Sequence, residues 1–523
     1  MIHFLSKKIV FLVTTTLLWL ILIFPTGSEK PFYTFLPTAE AGFFSNDLEL
    51  FKEVVDLVGD KYIYPPNYKK MFMASIYEMV ETIDDENIII TDNLDVQSIS
   101  RLDAIIQYRL DFNRQHNFKV FKKVYYFLLE ESGDKLHKDK LETAAVTGLM
   151  NSLDPYSGYM DADIFDKSMR DTEGKYGGLG MVITMKDNRL YVQRTMKNSP
   201  AQRAGILPGD FFEKVNGTNI EKIQISEFAD MLRGYPGTKV TLSLYRLSDK
   251  RKRTYTLTRE IIFIETVEYE TLKNNIGSIK ITSFSKQTNN QLKAALAKAK
   301  RDKVNGFILD LRDNPGGLLD QSVKVASHFL YRNRLIVYTR GRENTDHNEY
   351  RAQYSNSLHF MPVVILINQQ SASAAEIVAG ALRDSGKALI IGENSYGKGT
   401  VQTIFRTSDG SGLRLTTSKY FTPSGIDITA QGIIPEIFIV KDHISTDGSQ
   451  SVENSKNKPL NSDSLIKLKE SEVKNFINKN YNVIAESTDP TFQFAKMLIK
   501  NISVANKKKT LEKARELAAN IHY

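Results

Sequence analysis

The sequence predicts an α/β fold built on a mainly parallel sheet, because three apolar runs of strand length each end in a loop. These runs open the segments 307–317, 364–376 and 388–402. The first two loops lead into helical patterns, and alternating strands and helices are typical of βαβ units. Strand-to-helix loops of a parallel sheet all leave at its carboxyl edge, where active sites are usually built. We therefore expect the three loops to meet there.

The loops carry a hydroxyl at Ser373, an amine at Lys398 and a glycine pair at Gly316 and Gly317. Neighbouring strands lie about 4.8 Å apart, so these groups can come together. A serine, a lysine and free backbone N–H groups are the parts of a serine hydrolase that needs no histidine.

The bulk composition is that of a globular protein of 523 residues, with 41% hydrophobic and 25% charged residues. This length allows about two to four domains. A net charge of +8 indicates a solvated surface, and we expect no nucleic-acid partner. The chain has no cysteine, and its eight histidines show no HxxxH or HxH pattern, so neither a metal nor a cofactor is expected.

The N-terminal residues 1–41 have the pattern of a signal peptide or membrane anchor. Lys7 and Lys8 precede the apolar stretch Ile9–Phe24, which is marginal in length for a membrane span. A small-x-small cleavage pattern ends at Ala41, so a cleaved signal and a retained anchor are both open. Either predicts export, to the periplasm or the outer face of the inner membrane.

Residues 42–171 form a predicted helical N-terminal region with a degenerate duplication. Phe51-Lys-Glu-Val and Phe121-Lys-Lys-Val each begin an amphipathic run, and the two runs end in similar segments at Asp84 and Asp154. Two such copies favour stacked helical hairpins, commonly a packing or dimer surface; chance similarity is the alternative.

The remaining chain divides by pattern into four parts. Short alternating strands with turn signals fill 172–262, and the parallel-sheet domain fills 263–441. A polar stretch at 442–464 predicts a linker, and 465–523 predicts a helical C-terminal segment.

Several short motifs together resemble those of the C-terminal processing peptidases, or tail-specific proteases, over roughly residues 48–441. They are Leu153-Asp-Pro155, Gly177-Gly-Leu-Gly180, the turn from Ser199 to Asp210, Asp310-Leu-Arg-Asp-Asn-Pro-Gly-Gly317, Ser371-Ala-Ser-Ala-Ala-Glu376, Gly397-Lys-Gly-Thr400 and Tyr420-Phe-Thr-Pro-Ser-Gly425. The resemblance implies a crotonase-like ββα-spiral protease core with an inserted PDZ domain at 172–262.

By motif match, the resemblance makes Ser373 the nucleophile, Lys398 the general base and Gln402 the residue that orients the lysine. Family members often have histidine where Tyr156 stands and a basic residue near Ile426. We interpret these departures as subfamily differences that bear on substrate preference.

Lys398 can act as a base only if its environment lowers its pKa. At the ordinary value of about 10.4, about 0.04% of a lysine is neutral at pH 7, so the pKa must fall by roughly three units. Small flanking residues, Gly397 and Gly399, allow this, and no carboxylate lies closer in sequence than Glu393. Taken alone, a solvated loop lysine is the ordinary alternative.

Ser373 and Glu376 also form the pattern of a helix capping box, which can coexist with a nucleophile. From spacing alone, Ser371 is an alternative cap or nucleophile, and only the resemblance favours Ser373. The expected oxyanion donors are the N–H of Ala374 and that of Gly316 or Gly317.

Gln402 lies four residues after Lys398, about 13 Å away in an extended strand, so a contact requires the chain to curl. Its role is implied by the resemblance alone.

The glycine-rich segment Gly178, Leu179, Gly180 and Met181 resembles the carboxylate-binding loop of PDZ domains. By the same resemblance, Arg233 couples this domain to the active site; an ordinary surface arginine is the alternative.

Two other classes of protein, an NTPase and an inactive PDZ scaffold, fit the sequence less well. The segment from Gly392 to Lys398 resembles the phosphate-binding loop of an NTPase, but Gly399 stands where magnesium binding needs Ser or Thr. An inactive PDZ scaffold would not need the Ser/Lys pair. We expect an exported serine endopeptidase acting on proteins with apolar C-terminal tails. We also expect an adaptor or lipoprotein partner and a homodimer or higher oligomer.

Overall fold

The computed structural model describes residues 48–521 except 93–95, 134–136, 222, 344, 356–357, 430, 441–465, 482–488 and 502–505. The predicted leader at 1–41 and linker at 442–464 lie outside the described residues. Within the described ranges, no helix has both the length and the apolar character needed to cross a bilayer.

The N-terminal region combines helices with a small antiparallel sheet. Its elements are α1 (Glu49–Lys61), α2 (Tyr68–Ile83), β1 (Ile88–Asp92), β2 (Gln97–Arg101), β3 (Ala104–Tyr108), α3 (Arg114–Ser132), α4 (Lys138–Asn151), β4 (Gly158–Met160) and α5 (Ala162–Glu173). The two predicted copies correspond to the pairs α1–α2 and α3–α4, and their leading residues, Phe51 and Phe121, stack with ring centroids 4.1 Å apart. The sheet β1–β2–β3 between the pairs is not predicted by the sequence pattern.

The next region contains a sheet with five strands in sequence across it and a helix beside its edge strand. Its elements are β5 (Lys175–Gly178), β6 (Met181–Lys186), β7 (Arg189–Thr195), α6 (Pro200–Arg203), β8 (Phe211–Val215), β9 (Thr218–Asn219), α7 (Ile225–Leu232), β10 (Lys239–Arg246), β11 (Arg251–Thr258) and β12 (Glu260–Phe263). The order β11-β10-β8-β7-β6 places β6 at the sheet edge, where it contacts α7. Strands β5 and β12 pair separately and join the two ends of the region.

The core domain contains the predicted parallel sheet. Its elements are β13 (Val267–Leu272), β14 (Ile276–Ile281), α8 (Thr288–Arg301), β15 (Gly306–Asp310), α9 (Leu319–Ser327), β16 (Leu335–Arg340), β17 (His347–Arg351), β18 (Val363–Ile367), α10 (Ala374–Asp384), β19 (Ala388–Gly392), β20 (Thr400–Arg406), β21 (Gly412–Phe421) and β22 (Ile437–Val440). Strands β15, β18 and β19 are adjacent and parallel, with Leu309 opposite Ile365 and Ile365 opposite Ile390. The prediction that the three apolar runs form one sheet is confirmed. Every residue of these strands is buried, which explains their unbroken apolar sequence.

A second sheet of the core carries the strands β17, β16, β21 and β20 in that order. Strand β4 of the N-terminal region pairs with β21, with Gly158 opposite Arg414. This pairing brings the loop that precedes β4 to the core domain.

The C-terminal segment begins with a strand and continues with helices. Its elements are β23 (Ile466–Lys469), α11 (Glu470–Tyr481), α12 (Pro490–Lys500) and α13 (Lys507–Ile521). β23 extends the core sheet in parallel beside β22, so the expectation of an entirely helical segment misses this four-residue strand. Phe494 and Leu498 of α12 pack in one apolar cluster with Ile308 and Val364 of the core sheet. The C-terminal segment is therefore part of the core packing.

Candidate active site

Ser373 sits in the sharp turn between β18 and α10. Its φ of 53° and ψ of −113° are uncommon for a residue with a side chain, and such strain concentrates at functional sites. A Cβ on the neighbouring Gly316 would lie 2.7 Å from the Ser373 Cβ, so glycine is required there. A strained serine on a strand-to-helix turn is the arrangement of a nucleophile elbow.

Ser371, the alternative serine, is fully buried and structurally engaged. Its Oγ donates to the carbonyl of Leu311 at 2.8 Å and accepts from the N–H of Asn368 at 3.0 Å. Ser373 is only half-buried. These contacts favour Ser373 over Ser371 as the residue that a substrate can reach.

The carboxylate of Glu376 connects the two loops that carry Ser373 and Lys398. One oxygen, Oε2, accepts from the N–H of Ser373 at 2.7 Å and from that of Lys398 at 3.0 Å. The other, Oε1, accepts from the N–H of Gly397 at 2.8 Å and the Oγ of Ser395 at 2.5 Å. Glu376 is 1% exposed, and burial raises the pKa of its carboxyl despite these donors.

The amine of Lys398 is half-buried and lies 5.1 Å from the ring centroid of Tyr156. Burial lowers the pKa of Lys398, and the charge of Arg414 lowers it further, whereas the carboxylates of Glu376 and Asp154 act to raise it. Among the described residues, the amine forms no ion pair. The environment therefore lowers the pKa of this lysine, which is the direction that a general base requires.

The side chains of Ser373 and Lys398 are not hydrogen-bonded to each other in the described part of the chain. Their backbone nitrogens share one carboxylate oxygen, which fixes the spacing of the two loops. The catalytic pairing of the two side chains stays a prediction.

Gln402 lies on β20 at a register shift between Val401 and Gln402. Its Nε2 donates to Thr400 Oγ1 at 2.9 Å and to Thr416 Oγ1 at 3.3 Å. Its predicted contact with Lys398 is not among its hydrogen bonds, so that role also stays a prediction.

The predicted oxyanion donors surround the N-terminus of α10. The N–H of Gly316 already donates to Asn314 Oδ1 at 2.8 Å. The N–H groups of Gly317 and Ala374 have no protein acceptor among the described residues. Gly317 has φ of +136°, and a Cβ there would lie 2.2 Å from the Phe284 carbonyl oxygen, which explains the glycine.

The loop between β5 and β6 is hydrogen-bonded to α6 and to Ser199, the residue that caps this helix. The carbonyl of Leu179 accepts from the N–H of Ala201 at 3.0 Å, and that of Gly180 accepts from Ser199 Oγ at 3.1 Å. The N–H groups of Leu179 and Gly180 have no acceptor within the described residues. They are therefore available to an anion.

The other predicted substrate-binding residues lie around this loop. Gly178 pairs with Glu260 in the β5–β12 ribbon, and Met181 opens β6. Arg233 pairs with Asp230 at 2.8 Å, and its guanidinium lies 5.4 Å from the Tyr176 ring centroid. Its coupling to the active site stays a prediction, because these contacts are local.

The chain is similar in sequence to several known proteins. Residues 275–439 match peptidase family S41, and residues 191–246 match a PDZ domain. A carboxy-terminal-processing protease of Bartonella bacilliformis is 42% identical over 305 residues, which cover 57% of this chain and 70% of the relative. A probable CtpA-like serine protease of Staphylococcus haemolyticus is 36% identical over 347 residues, covering 65% and 69%. The solved photosystem II D1 C-terminal processing protease is 24% identical, with a TM-score of 0.41, covering 76% of this chain and 93% of that one.

The strand-turn-helix serine, the neighbouring lysine loop and the sequence matches define a serine-type peptidase with a PDZ domain. The chain belongs to peptidase family S41, among the carboxy-terminal-processing proteases.

Sequence reasoning gave Glu376 only a capping role and gave Tyr420 none. The Tyr420 hydroxyl donates to the carbonyl of Lys398 and lies 3.4 Å from Glu376 Oε2, so it also supports the lysine loop. The capping-box pattern was the available signal for Glu376. Its hydrogen bonds from the backbone N–H groups of Gly397 and Lys398 have no signature in the sequence.

We expect Glu376→Gln to impair catalysis and stability together. The amide would place N–H groups against backbone N–H donors, which should cost about 1–3 kcal/mol in the free energy of unfolding. Displacement of either loop should lower kcat by about 100-fold. Peptidase kinetics and thermal unfolding measure both effects. Glu343→Gln, whose side chain is 71% exposed, is the control, and full kcat in Glu376→Gln would contradict the role.

Proposed function

We propose that this protein is an exported serine endopeptidase that captures C-terminal tails through its PDZ domain and cleaves near the C-terminus with a Ser–Lys pair. The observation that carries the proposal is the shared carboxylate oxygen of Glu376, which holds the Ser373 and Lys398 loops together. The half-buried setting of Lys398, with its lowered pKa, supports the role of base.

In the proposed reaction, the Ser373 Oγ attacks the scissile carbonyl while neutral Lys398 takes the hydroxyl proton. The resulting oxyanion accepts from the N–H groups of Gly317 and Ala374. Lys398 then gives its proton to the leaving amine, and an acyl-enzyme remains. Water, activated by the same lysine, releases the acyl group. Gln402 orients the lysine, and the steps use no metal or cofactor.

The proposed tail-binding site is the edge of β6 beside α7. A substrate tail would add a strand there, and its carboxylate would accept from the N–H groups of Leu179 and Gly180. Phe228 and Leu232 of α7 belong to the apolar cluster that includes Leu179 and Met181, which supports a preference for apolar tails.

Several further features belong to this proposal. The domain boundaries are those predicted from the sequence, with the PDZ domain at 172–262 and a crotonase-like spiral core at 263–441. The leader directs export, Arg233 couples tail binding to the active site, and the enzyme assembles as a homodimer or higher oligomer. An adaptor or lipoprotein presents substrates.

We expect Ser373→Ala and Lys398→Ala each to lower kcat on an unstructured protein by about 10⁴-fold, as loss of a catalytic group does in other serine peptidases. Ser371→Ala is the matched control. It should keep the nucleophile and lose stability, because the Leu311 carbonyl loses a donor. Quantified cleavage and thermal unfolding separate the variants. Full proteolysis by the Ser373 or the Lys398 variant would eliminate the mechanism.

The pH dependence should report the neutral form of Lys398. Because its pKa is lowered, the active free base forms as pH rises, and kcat should increase to a plateau with a midpoint below about 10.4. Lys387 is a second buried lysine, with its pKa lowered to about 7. Lys387→Arg therefore serves as the control and should leave the kcat midpoint in place. A midpoint at or above 10.4 would contradict a desolvated base.

Tail capture predicts a dependence on the substrate's terminal carboxylate. Amidation of that carboxylate removes charge-assisted hydrogen bonds worth about 1.5–3 kcal/mol, so KM should rise by about tenfold or more with little change in kcat. A peptide amidated at one internal acidic side chain controls for loss of charge. Equal KM values for free and amidated tails would refute carboxylate recognition.

A further inference from the structure

Asp154 belongs to a motif in the loop between α4 and β4 that the proposed mechanism does not use. We propose that Asp154 is a positioning residue that fixes the direction of a hydrogen-bond chain through Thr416 to Gln402, so that Gln402 presents its carbonyl oxygen to Lys398. This inference rests on the proposed function, because it assigns how the base is oriented.

The carboxylate of Asp154 accepts hydrogen bonds from both sides of the β4–β21 junction. Its Oδ1 accepts from the N–H groups of Tyr156 and Ser157, at 2.9 and 3.2 Å, and from Thr416 Oγ1 at 3.0 Å. Its Oδ2 accepts from Ser157 Oγ at 2.6 Å. A carboxylate can only accept, so each of these partners must direct its hydrogen towards Asp154.

The direction of the chain follows from the number of hydrogens on each group. The Thr416 hydroxyl has one hydrogen and gives it to Asp154, so towards Gln402 it can only accept. It therefore faces the Gln402 Nε2, 3.3 Å away, and the second hydrogen of that amide goes to Thr400 Oγ1 at 2.9 Å. Both amide hydrogens of Gln402 are then used. The oxygen Oε1 remains as an acceptor.

An acceptor is what a lysine base needs from its neighbour. A neutral amine has one lone pair, which must point to the Ser373 hydroxyl, and two hydrogens that need acceptors. An amide N–H facing Lys398 would compete with Ser373 for the lone pair. The hydrogen-bond chain from Asp154 therefore orients Gln402 so that its oxygen Oε1, and not its NH2 group, is presented to Lys398.

The surroundings of the chain keep it fixed. Thr416 is fully buried and Ser157 is 7% exposed, so little water competes for these groups. The N–H of Thr416 also donates to Ser157 Oγ at 3.1 Å, which ties β21 to the loop. Tyr156, whose N–H donates to Asp154, places its ring against the Lys398 amine.

The charge of Asp154 acts on Lys398 in the opposite sense from its positioning effect. Among the described residues, the amine lies near the Tyr156 ring, and its pKa is influenced by the cation of Arg414 and the carboxylates of Glu376 and Asp154. The Asp154 charge raises the pKa of Lys398, so its removal should favour the free base. Loss of Asp154 should therefore lower kcat while moving its pH limb to lower pH.

The first experiment compares Asp154→Ala, which removes the acceptor of the Thr416 hydroxyl, with the wild type on the same unstructured substrate. We expect kcat to fall at least about tenfold with KM nearly unchanged, and the ascending pH limb to move to lower pH. Thr416→Val should lower kcat similarly because it interrupts the chain, whereas Thr416→Ser should retain it. Wild-type kcat in Asp154→Ala and Thr416→Val would overturn the inference. Equal losses in Thr416→Val and Thr416→Ser would also overturn it.

The decisive test removes the charge of Asp154 but keeps the direction of the chain. In Asp154→Asn, the amide oxygen can stay at the Oδ1 position, where it accepts from two backbone N–H groups and from Thr416. Its NH2 group then donates to Ser157 Oγ, the partner of Oδ2. We expect kcat of Asp154→Asn to stay at least about tenfold above that of Asp154→Ala, with its pH limb also at lower pH, which a role of the charge alone would not produce. Equal losses of kcat in Asp154→Asn and Asp154→Ala would overturn the inference. Activity in Lys398→Ala would instead refute the proposed function itself.

Discussion

The active-site geometry depends on one buried carboxylate, that of Glu376. Removing a carboxylate from water costs several kcal/mol, and only a full set of donors offsets that cost. The donors come from two loops that follow adjacent strands of the sheet, and two of them are the N–H groups of Ser373 and Lys398. Adjacent strands alone place the two loops only to within several ångströms. The carboxylate, by binding both, fixes the position of the Lys398 loop relative to Ser373, the proposed nucleophile.

Opposing influences act on the lysine held in this way. Burial and the charge of Arg414 favour the neutral amine, whereas Glu376 and Asp154 favour the ammonium. The ring of Tyr156 also favours a cation. In the proposed mechanism Lys398 first takes a proton and then returns it to a leaving amine, and such a base works best when neither form is strongly preferred. The mixed surroundings of Lys398 fit that requirement better than a purely apolar pocket would.

The sheet could be predicted from the sequence because all positions of β15, β18 and β19 are buried, and full burial leaves an unbroken apolar run. The position of Ser373 and Lys398 on neighbouring loops followed from parallel topology. The capping-box pattern predicted the contact of Glu376 with the Ser373 N–H, but its contacts with Gly397 and Lys398 could not be predicted, since backbone amides carry no side-chain signature. The strand at Ile466–Lys469 was missed because four residues are too few to show a period, and its partner β22 lies across the polar stretch 442–464.

The proposed catalytic unit extends beyond the part of the chain that matches the peptidase family. The matched residues, 275–439, contain Ser373 and Lys398. The aromatic ring against the lysine and the carboxylate that reaches Thr416 come instead from Tyr156 and Asp154, in the N-terminal region. Pairing of β4 with β21 delivers both residues to the core. Strand β21 also pairs with β20, the strand that carries Gln402. The surroundings of Lys398 are therefore built jointly by two regions of the chain.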